Sequence, residues 1–470
     1  MDRDLLGFLR CPFCGGHFRA SALEQRGNDL YHGLLRCSCD RYPVVCGIPV
    51  LLKERQALLD EVRGALASGQ PEHAFLALVG RPLPHGLEAR VRMPPARRAL
   101  RRLHQRVRRP RFAYLGPATG FGEGGEATTA ELLELYCDQS PEDYHYLAYR
   151  FGHPRHLAAL AMTSLVRQRN GPLLDLACGC GHTAFTLRQM APGQPLFGID
   201  IWFFGLWLAS RRCAPGGAFL CCRADGSLPF ASKAFASAVC VDSLHYFDDK
   251  AGAARELARV VAPRGSIVLT GLHNRNVERP LQFGDPLTPE GYSRLFAGLP
   301  HRLLADDRTL ERYLAGKGPD LANGAARDLA HASLLSLVTS RDASALPASV
   351  ELPATPPHCQ GPPAWNPLYA QRRRGEAIEL VLRVPSEAFV ADQGKSWGYL
   401  PPSALAPASA DEEIRRGEWT PSLRRLAERF VVLAMPPGFF QPSTPAVTER
   451  WRRGEPFAVL PPVLKAGVYA

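Results

Sequence analysis

The chain has 470 residues, 46% of them hydrophobic, and a formal net charge of +11 at pH 7, which suits two or three globular domains with a substantial core. Met1-Asp-Arg-Asp4 puts acids where a secretory leader would be basic, and the most apolar run, Ile201 to Ala209, is far too short to cross a bilayer. The thirteen cysteines include Cys178, Cys180, Cys221, Cys222 and Cys240 inside apolar runs, and read as reduced, buried thiols. Neither a secreted disulfide scaffold nor a membrane-spanning protein is therefore expected; a cytoplasmic protein is.

At the N-terminus, Cys11-Pro-Phe-Cys14 has the C-x2-C spacing of a zinc knuckle, and a second pair, Cys37 and Cys39, follows after a loop. Cys11, Cys14, Cys37 and Cys39 are the candidate zinc ligands of a ribbon spanning residues 1–53. The second pair is one residue tighter than usual, so either Cys39 or Cys46 is the fourth ligand; a metal-free ribbon with leftover cysteines is the competing reading. A segment of about fifty residues buries little core, and bound zinc supplies on the order of 10 kcal/mol of folding free energy.

Residues 54–139 read as a helical connector. From Arg90 to Arg111 there are ten arginines and no acid. Between Pro95 and Pro110 a helix is expected with Leu100, Leu103 and Val107 on one face and Arg98, Arg102, Arg106 and Arg109 on another. Such a segment suits phosphates of a nucleic acid, an anionic membrane surface or an acidic partner, and equally a solvated helix packed by its apolar stripe.

Residues 140–342 alternate strands and helices. Tyr144 to Arg167 is helix-rich, with Leu157, Leu160, Ala161 and Leu165 at helical spacing. Leu173-Leu-Asp-Leu-Ala-Cys-Gly-Cys-Gly181 then reads as a strand handing over to a small-residue turn, in which Gly179 and Gly181 let backbone amides approach a ligand and a helix opens near His182. Pro195 to Ile201 ends in Asp200, nineteen residues past Gly181, the spacing at which a βαβ unit presents an acid to ribose hydroxyls. Asp225 is expected at a third strand end, Ala236 to Asp242 is a fourth strand, Ala251 to Val261 a helix stopped by Pro263 to Gly265, and Ser266 to Thr270 a fifth strand. Thr288-Pro-Glu290 caps a short helix through Phe296. His301 to Ala305 and Ser333 to Thr339 complete the set as reversed edge strands. The fold class is α/β with a mostly parallel, seven-stranded sheet, whose ligands bind outside the carboxyl ends of the strands.

Asp175-Leu-Ala-Cys-Gly-Cys-Gly181, Gly198-Ile-Asp200, Ala224-Asp-Gly-Ser-Leu-Pro-Phe230, Asp242-Ser-Leu-His-Tyr-Phe247 and Glu256-Leu-Ala-Arg-Val-Val-Ala-Pro-Arg-Gly265 resemble, in order and spacing, class I S-adenosylmethionine-dependent methyltransferases, especially those of quinone biosynthesis. The resemblance implies a Rossmann-like domain in which Gly179 and Gly181 line the methionine part of the cofactor, Asp200 holds the ribose and Asp225 reads the adenine amino group. The cofactor-facing set it implies is Asp175, Ala177, Gly179, Gly181, Asp200, Ile201, Asp225, Gly226 and Asp242. Two positions depart from the family: Ala177 stands where it usually has Gly, and Pro263-Arg264-Gly265 where it has Pro-Gly-Gly. Likewise Leu5-Leu-Gly-Phe-Leu-Arg-Cys-Pro-Phe-Cys14 and Tyr42-Pro-Val-Val-Cys-Gly-Ile-Pro-Val-Leu-Leu52 are similar to the zinc-ribbon activator subunit of tRNA and protein methyltransferases, with Cys46 where that family usually has Asp.

Residues 343–368 are rich in Pro and Ala and read as a linker or an extended wrap. In the extension 369–470, Arg372 to Val384 is expected as a strand and Trp419 to Leu433 as a helix, and the segment is a candidate cover for the acceptor pocket. Methyl transfer is an in-line displacement that needs positioning, water exclusion and, for a hydroxyl acceptor, a base. His245 is the first candidate base, His273 with Asn274 the second; a histidine that packs under the cofactor is the competing role for His245. The expected activity is methyl transfer from S-adenosylmethionine to a small-molecule acceptor. The alternatives are an RNA methyltransferase that holds nucleic acid with its ribbon and Arg90 to Arg111, and a non-catalytic scaffold or activator that kept the fold.

Overall fold

The computed structural model describes residues 1–79, 127–137, 141–167, 170–277, 284–322, 329–386, 389–390 and 397–440. The arginine-rich helix expected between Arg90 and Arg111 lies outside them.

The N-terminal segment is a four-stranded antiparallel meander, β1 (Arg19–Arg26), β2 (Asp29–Arg36), β3 (Arg41–Val45) and β4 (Ile48–Pro49). Two helices follow, Gln56–Ala67 and Pro71–Val79; the first buries Leu59, Val62, Ala65 and Leu66 at helical spacing.

The central sheet holds β5 (Leu173–Leu176), β6 (Leu196–Asp200), β7 (Ala218–Cys221), β8 (Phe235–Val241), β9 (Val261–His273), β10 (His301–Ala305) and β11 (Leu334–Thr339), in the spatial order β10-β11-β9-β8-β5-β6-β7. Strands β7, β6, β5, β8 and β9 are mutually parallel. Their unbroken apolar runs suit strands covered on both faces, and β5 is buried throughout. Strand order reverses between β5 and β8, which opens a crevice at their carboxyl ends. One expectation needs correction. Only β11 is reversed, antiparallel to both β9 and β10, and it is an inner strand; β10, at the edge, runs with the parallel set.

The ribbon closes the opposite edge. Val50 pairs in parallel with Cys221, and the Leu51 N–H donates to the Cys221 carbonyl at 2.7 Å. Leu9 pairs with Phe230, flanked by the Arg10 N–H to Pro229 O at 2.9 Å and the Ala231 N–H to Phe8 O at 3.2 Å. The exposed edge of β7 is thereby covered, and the loop between Cys221 and Ala231 is pinned at both ends.

The C-terminal part forms β12 (Pro363–Trp365), β13 (Tyr369–Arg374), β14 (Ala377–Leu382), β15 (Ser403–Pro407) and β16 (Val432–Ala434). The strand expected over Arg372 to Val384 is instead the β13–β14 hairpin, because Gly375 takes φ 57° and turns the chain. The helix expected over Trp419 to Leu433 is confined to Pro421–Ala427. Phe430 then adopts φ 57°, and Val432 to Ala434 pair with β12. This part packs on the outside of the segment before Pro154: the Tyr399 hydroxyl donates to Gly152 O at 2.6 Å, and the rings of Phe389 and Trp397 lie against His153.

Candidate active site

The site begins where β5 ends. Ala177, Gly179 and Gly181 all take left-handed backbone angles, φ 56°, 54° and 88°. Ala177 thus holds a conformation that favours glycine, at a cost of about 1 kcal/mol. A Cβ on Gly181 would come within 2.8 Å of the Ala209 Cβ, so glycine is needed for close packing there. A Cβ on Gly179 would meet nothing within 4 Å, so the backbone borders open space on that side, but the amides expected to approach a ligand are committed within the protein, Gly179 N–H to Asp200 and Gly181 N–H to Cys178 O at 2.9 Å. The second departure is harmless: Arg264 is absent from the left-handed residues and pairs on the surface with Asp342 at 3.3 Å.

Asp200, at the end of β6, turns back on this loop. Its Oδ2 accepts the Gly179 N–H at 2.8 Å and its Oδ1 the Trp202 N–H at 2.9 Å, with the Ile201 N–H also acting on the carboxylate, which still leaves it acceptor capacity. Burial raises its pKa above the ordinary carboxylate value. Asp175 is 1% exposed and its Oδ2 has no hydrogen-bond partner. Burial first, and the charge of Asp200 second, push Asp175 up to about 8. Ile201 beside Asp200 is 48% exposed and offers an apolar surface. Asp225 is not at a strand end, because β7 stops at Cys221; it sits in the following loop, where it accepts Arg223 Nε at 2.9 Å, Arg223 Nη2 at 2.7 Å and the Asp248 N–H at 2.9 Å. A Cβ on Gly226 would meet only open space.

The other end of the crevice is built around Asp242, just past β8. It has φ 52° and is buried. Its Oδ2 accepts the Tyr146 hydroxyl at 2.8 Å and Arg150 Nη1 at 3.1 Å, Arg155 Nη1 approaches at 3.4 Å, and Oδ1 lies 3.3 Å from His273 Nε2. Burial pushes the Asp242 carboxyl up, but Arg155, His273 and Arg150 outweigh it and hold it well below the usual range. Asp242 therefore contacts protein groups on every side. Ser243 Oγ donates to Ala177 O at 3.4 Å and ties this loop to the glycine turn. Tyr146, Arg150 and Arg155 were missed in the sequence; the available signal was two arginines flanking Phe151 to Pro154 in an otherwise apolar helical approach.

His245 lies beside this network, 3% exposed, with its ring centroid 4.4 Å from that of His273 and its Nδ1 without a partner. Burial lowers its pKa to about 3, so the imidazole is neutral and weakly basic at pH 7. Asn274, paired with His273 as second choice, is committed elsewhere: its amide donates to the carbonyls of Leu329, Ala330 and Ala332. Ligand atoms of Asp242, His245 and His273 lie within 4.8 Å of one another. Two guanidiniums already occupy the cation positions around that carboxylate, so the cluster is an ion-pair network and a poor metal cage.

The sulfurs of Cys11, Cys14, Cys37 and Cys39 all lie within 4.8 Å of one another. Cys11 and Cys39 are 3.6 Å apart, Cys37 and Cys39 3.4 Å. A tetrahedral ion with Zn–S bonds of about 2.3 Å would space its sulfurs by about 3.8 Å, so the donor set fits a Cys₄ zinc site. Cys46 stands apart, buried, with its N–H directed at His32 Nδ1.

Residues 174–269 match the methyltransferase domain family. Demethylmenaquinone methyltransferase of Thermus thermophilus is 37% identical over 101 residues, which are 21% of this chain and 45% of that protein. The chain therefore spans less than half the length of that curated relative. Among solved structures, a methyltransferase of Thermotoga maritima described as a possible histamine N-methyltransferase shares 15% identity, covering 45% of this chain and 99% of its own at a TM-score of 0.31. The plantazolicin methyltransferase BpumL in complex with S-adenosylhomocysteine shares 14%, covering 46% and 95% at a TM-score of 0.32. Among the described residues, no helix is long and apolar enough to cross a membrane.

Proposed function

We propose that the chain transfers a methyl group from S-adenosylmethionine to a small-molecule acceptor, in the cytoplasm. The observation that carries this reading is the convergence of Asp175, the Gly179 turn and Asp200 at the carboxyl ends of β5 and β6, beside the crevice that opens between β5 and β8 and inside the segment that matches the methyltransferase domain family. The residues fit the cofactor: Asp175 Oδ2 is buried and unpartnered, Gly179 borders open space on its Cβ side, and Asp200 keeps acceptor capacity. Asp200 holds the ribose hydroxyls, Ile201 lies along the purine, Asp225 and Gly226 face its edge, and Gly179 and Gly181 line the methionine part. When bound, the cofactor supplies an electrophilic methyl group on a sulfonium.

The protein's share is positioning and water exclusion. Asp242 draws Tyr146, Arg150, Arg155 and His273 together and fixes the helical approach over the acceptor end. His245, neutral and with Nδ1 uncommitted, accepts a hydrogen bond from the acceptor's hydroxyl or N–H, and His273 supports it through the ring contact. The same reading gives Cys11, Cys14, Cys37 and Cys39 a zinc ion that holds the ribbon against the Cys221 to Ala231 loop.

Incubating the full chain with methyl-tritiated S-adenosylmethionine and separate small-molecule and RNA fractions of a cell extract tests the acceptor class. Label is expected in the small-molecule fraction. Label confined to RNA would replace this reading with the nucleic-acid alternative.

A further inference from the structure

The Asp225 carboxylate does not stand alone at the purine edge. Arg223 grips it with two parallel hydrogen bonds, Nε to Oδ1 at 2.9 Å and Nη2 to Oδ2 at 2.7 Å, and the same Nη2 reaches Asp248 Oδ2 at 2.8 Å. The Asp248 N–H closes the ring by donating to Asp225 Oδ2 at 2.9 Å. A carboxylate offers about four acceptor positions, two on each oxygen. Three are filled here, both on Oδ2 and one on Oδ1, so a single position on Oδ1 is left.

We propose that Arg223 is the positioning residue that sets the purine specificity of this site: it holds Asp225 in one rotamer, with one acceptor position open, so that a purine carrying a 6-amino donor is taken and one carrying a 6-oxo acceptor is refused. This rests on the cofactor reading above. A planar guanidinium locks a carboxylate bidentately in a way that an ammonium cannot. Burial acts to raise the Asp225 pKa, but Arg223 and the Asp248 N–H outweigh it and keep the group ionised, hence acceptor-only. A 6-oxo purine would set a lone pair against that charge and leave it unsatisfied, the kind of mismatch a polar site discriminates most strongly. The arm to Asp248, 86% exposed, is screened by salt and contributes little energy. Its value is geometric, because it links the purine loop to the turn that follows His245. Arg223 is itself 45% exposed, so its removal leaves the core intact.

The test is calorimetric titration of the full-length protein with S-adenosylhomocysteine and with S-inosylhomocysteine, its 6-oxo analogue, for the native chain, Arg223→Ala, Arg223→Lys and Asp248→Ala. The native chain is expected to prefer the 6-amino ligand by roughly 100-fold. Arg223→Ala should weaken S-adenosylhomocysteine roughly tenfold and change S-inosylhomocysteine less than threefold, with Arg223→Lys close to the alanine variant and Asp248→Ala close to native. Equal binding of S-adenosylhomocysteine by native and Arg223→Ala proteins, with the 6-amino preference intact, overturns the role of Arg223. Failure of the folded native chain to bind S-adenosylhomocysteine at all would instead remove the cofactor reading beneath it.

Discussion

The two ends of the crevice are built on opposite principles. At the end proposed for the cofactor, Asp175, Gly179 and Asp200 come from two neighbouring strands and the loop between them and keep polar capacity in reserve: an unpartnered Asp175 oxygen, a spare acceptor position on Asp200, open space at Gly179. At the end proposed for the acceptor, Asp242 is saturated by Tyr146, Arg150 and Arg155, which lie 96, 92 and 87 residues earlier in the chain. Spare capacity marks a place for a ligand, and saturation marks a structural brace. Substitutions at the first end should therefore damage binding and spare the fold; substitutions at the second should do the reverse.

Acidification probes the buried histidines around the crevice most broadly. His182 and His245 have folded-state values of about 3, below the ordinary 6.5, and His153 and His156 are likewise held well below it, burial being the first cause in each. A depressed value gives stability that is complete above about pH 6.5 and lost as the pH falls through that point toward the folded-state value, at up to about 1.4 kcal/mol per pH unit for each group. Asp175 works the other way: raised to about 8, it favours the fold below its unfolded value and loses that contribution as the pH rises toward 8, so acidification returns part of the loss. The net expectation between pH 7 and 5 is a loss of several kcal/mol, read as a fall in thermal midpoint. An unchanged midpoint would mean that these histidines are not held neutral.

Asp242→Ala comes next. It strands two buried guanidiniums and should destabilise by about 3–5 kcal/mol in denaturant melts. A loss below about 1 kcal/mol would show that the carboxylate is not the organising centre of the acceptor end. The smallest effect belongs to Ala177→Gly, which relieves a left-handed alanine and should leave stability within about 1 kcal/mol, because the relief is offset by the greater flexibility of glycine in the unfolded chain. Cofactor affinity should be equal or better; a marked loss of affinity would mean that the Ala177 methyl group contributes to the site.

What could be read in the sequence follows the same division. The β5–β6 end is contiguous, and its glycines, aspartates and strand spacing are local signals, so Asp175, Gly179, Gly181 and Asp200, which the structure brings together there, can be read from the sequence as a group. The acceptor end was visible only in part: His245, His273 and Asp242 follow strand ends, but their partners come from a helical approach whose arginines look like surface charges until the fold brings them inward. Asp225 was placed at a strand end because nothing in Cys222-Arg-Ala-Asp225 marks where pairing stops. Neither strand's apolar pattern records its direction or its neighbours, so the sequence offers β10 and β11 alike as reversed edge strands, whereas only β11 is reversed and only β10 is at the edge. In the C-terminal part, Gly375 is the single turn residue between Gln371-Arg-Arg-Arg374 and Glu376-Ala-Ile-Glu-Leu380, a weak signal for a reversal, and Phe430 ends a helix through a backbone angle that no neighbouring residue type announces.

The most direct test of the central claim is calorimetric titration of S-adenosylhomocysteine into the native protein and into Asp200→Ala, each with a thermal melt. The cofactor end as described gives micromolar binding by the native chain, a loss of at least about 100-fold in the variant, and a midpoint within a few degrees of native. Equal affinity in the two proteins, or binding by neither while both remain folded, would contradict the account.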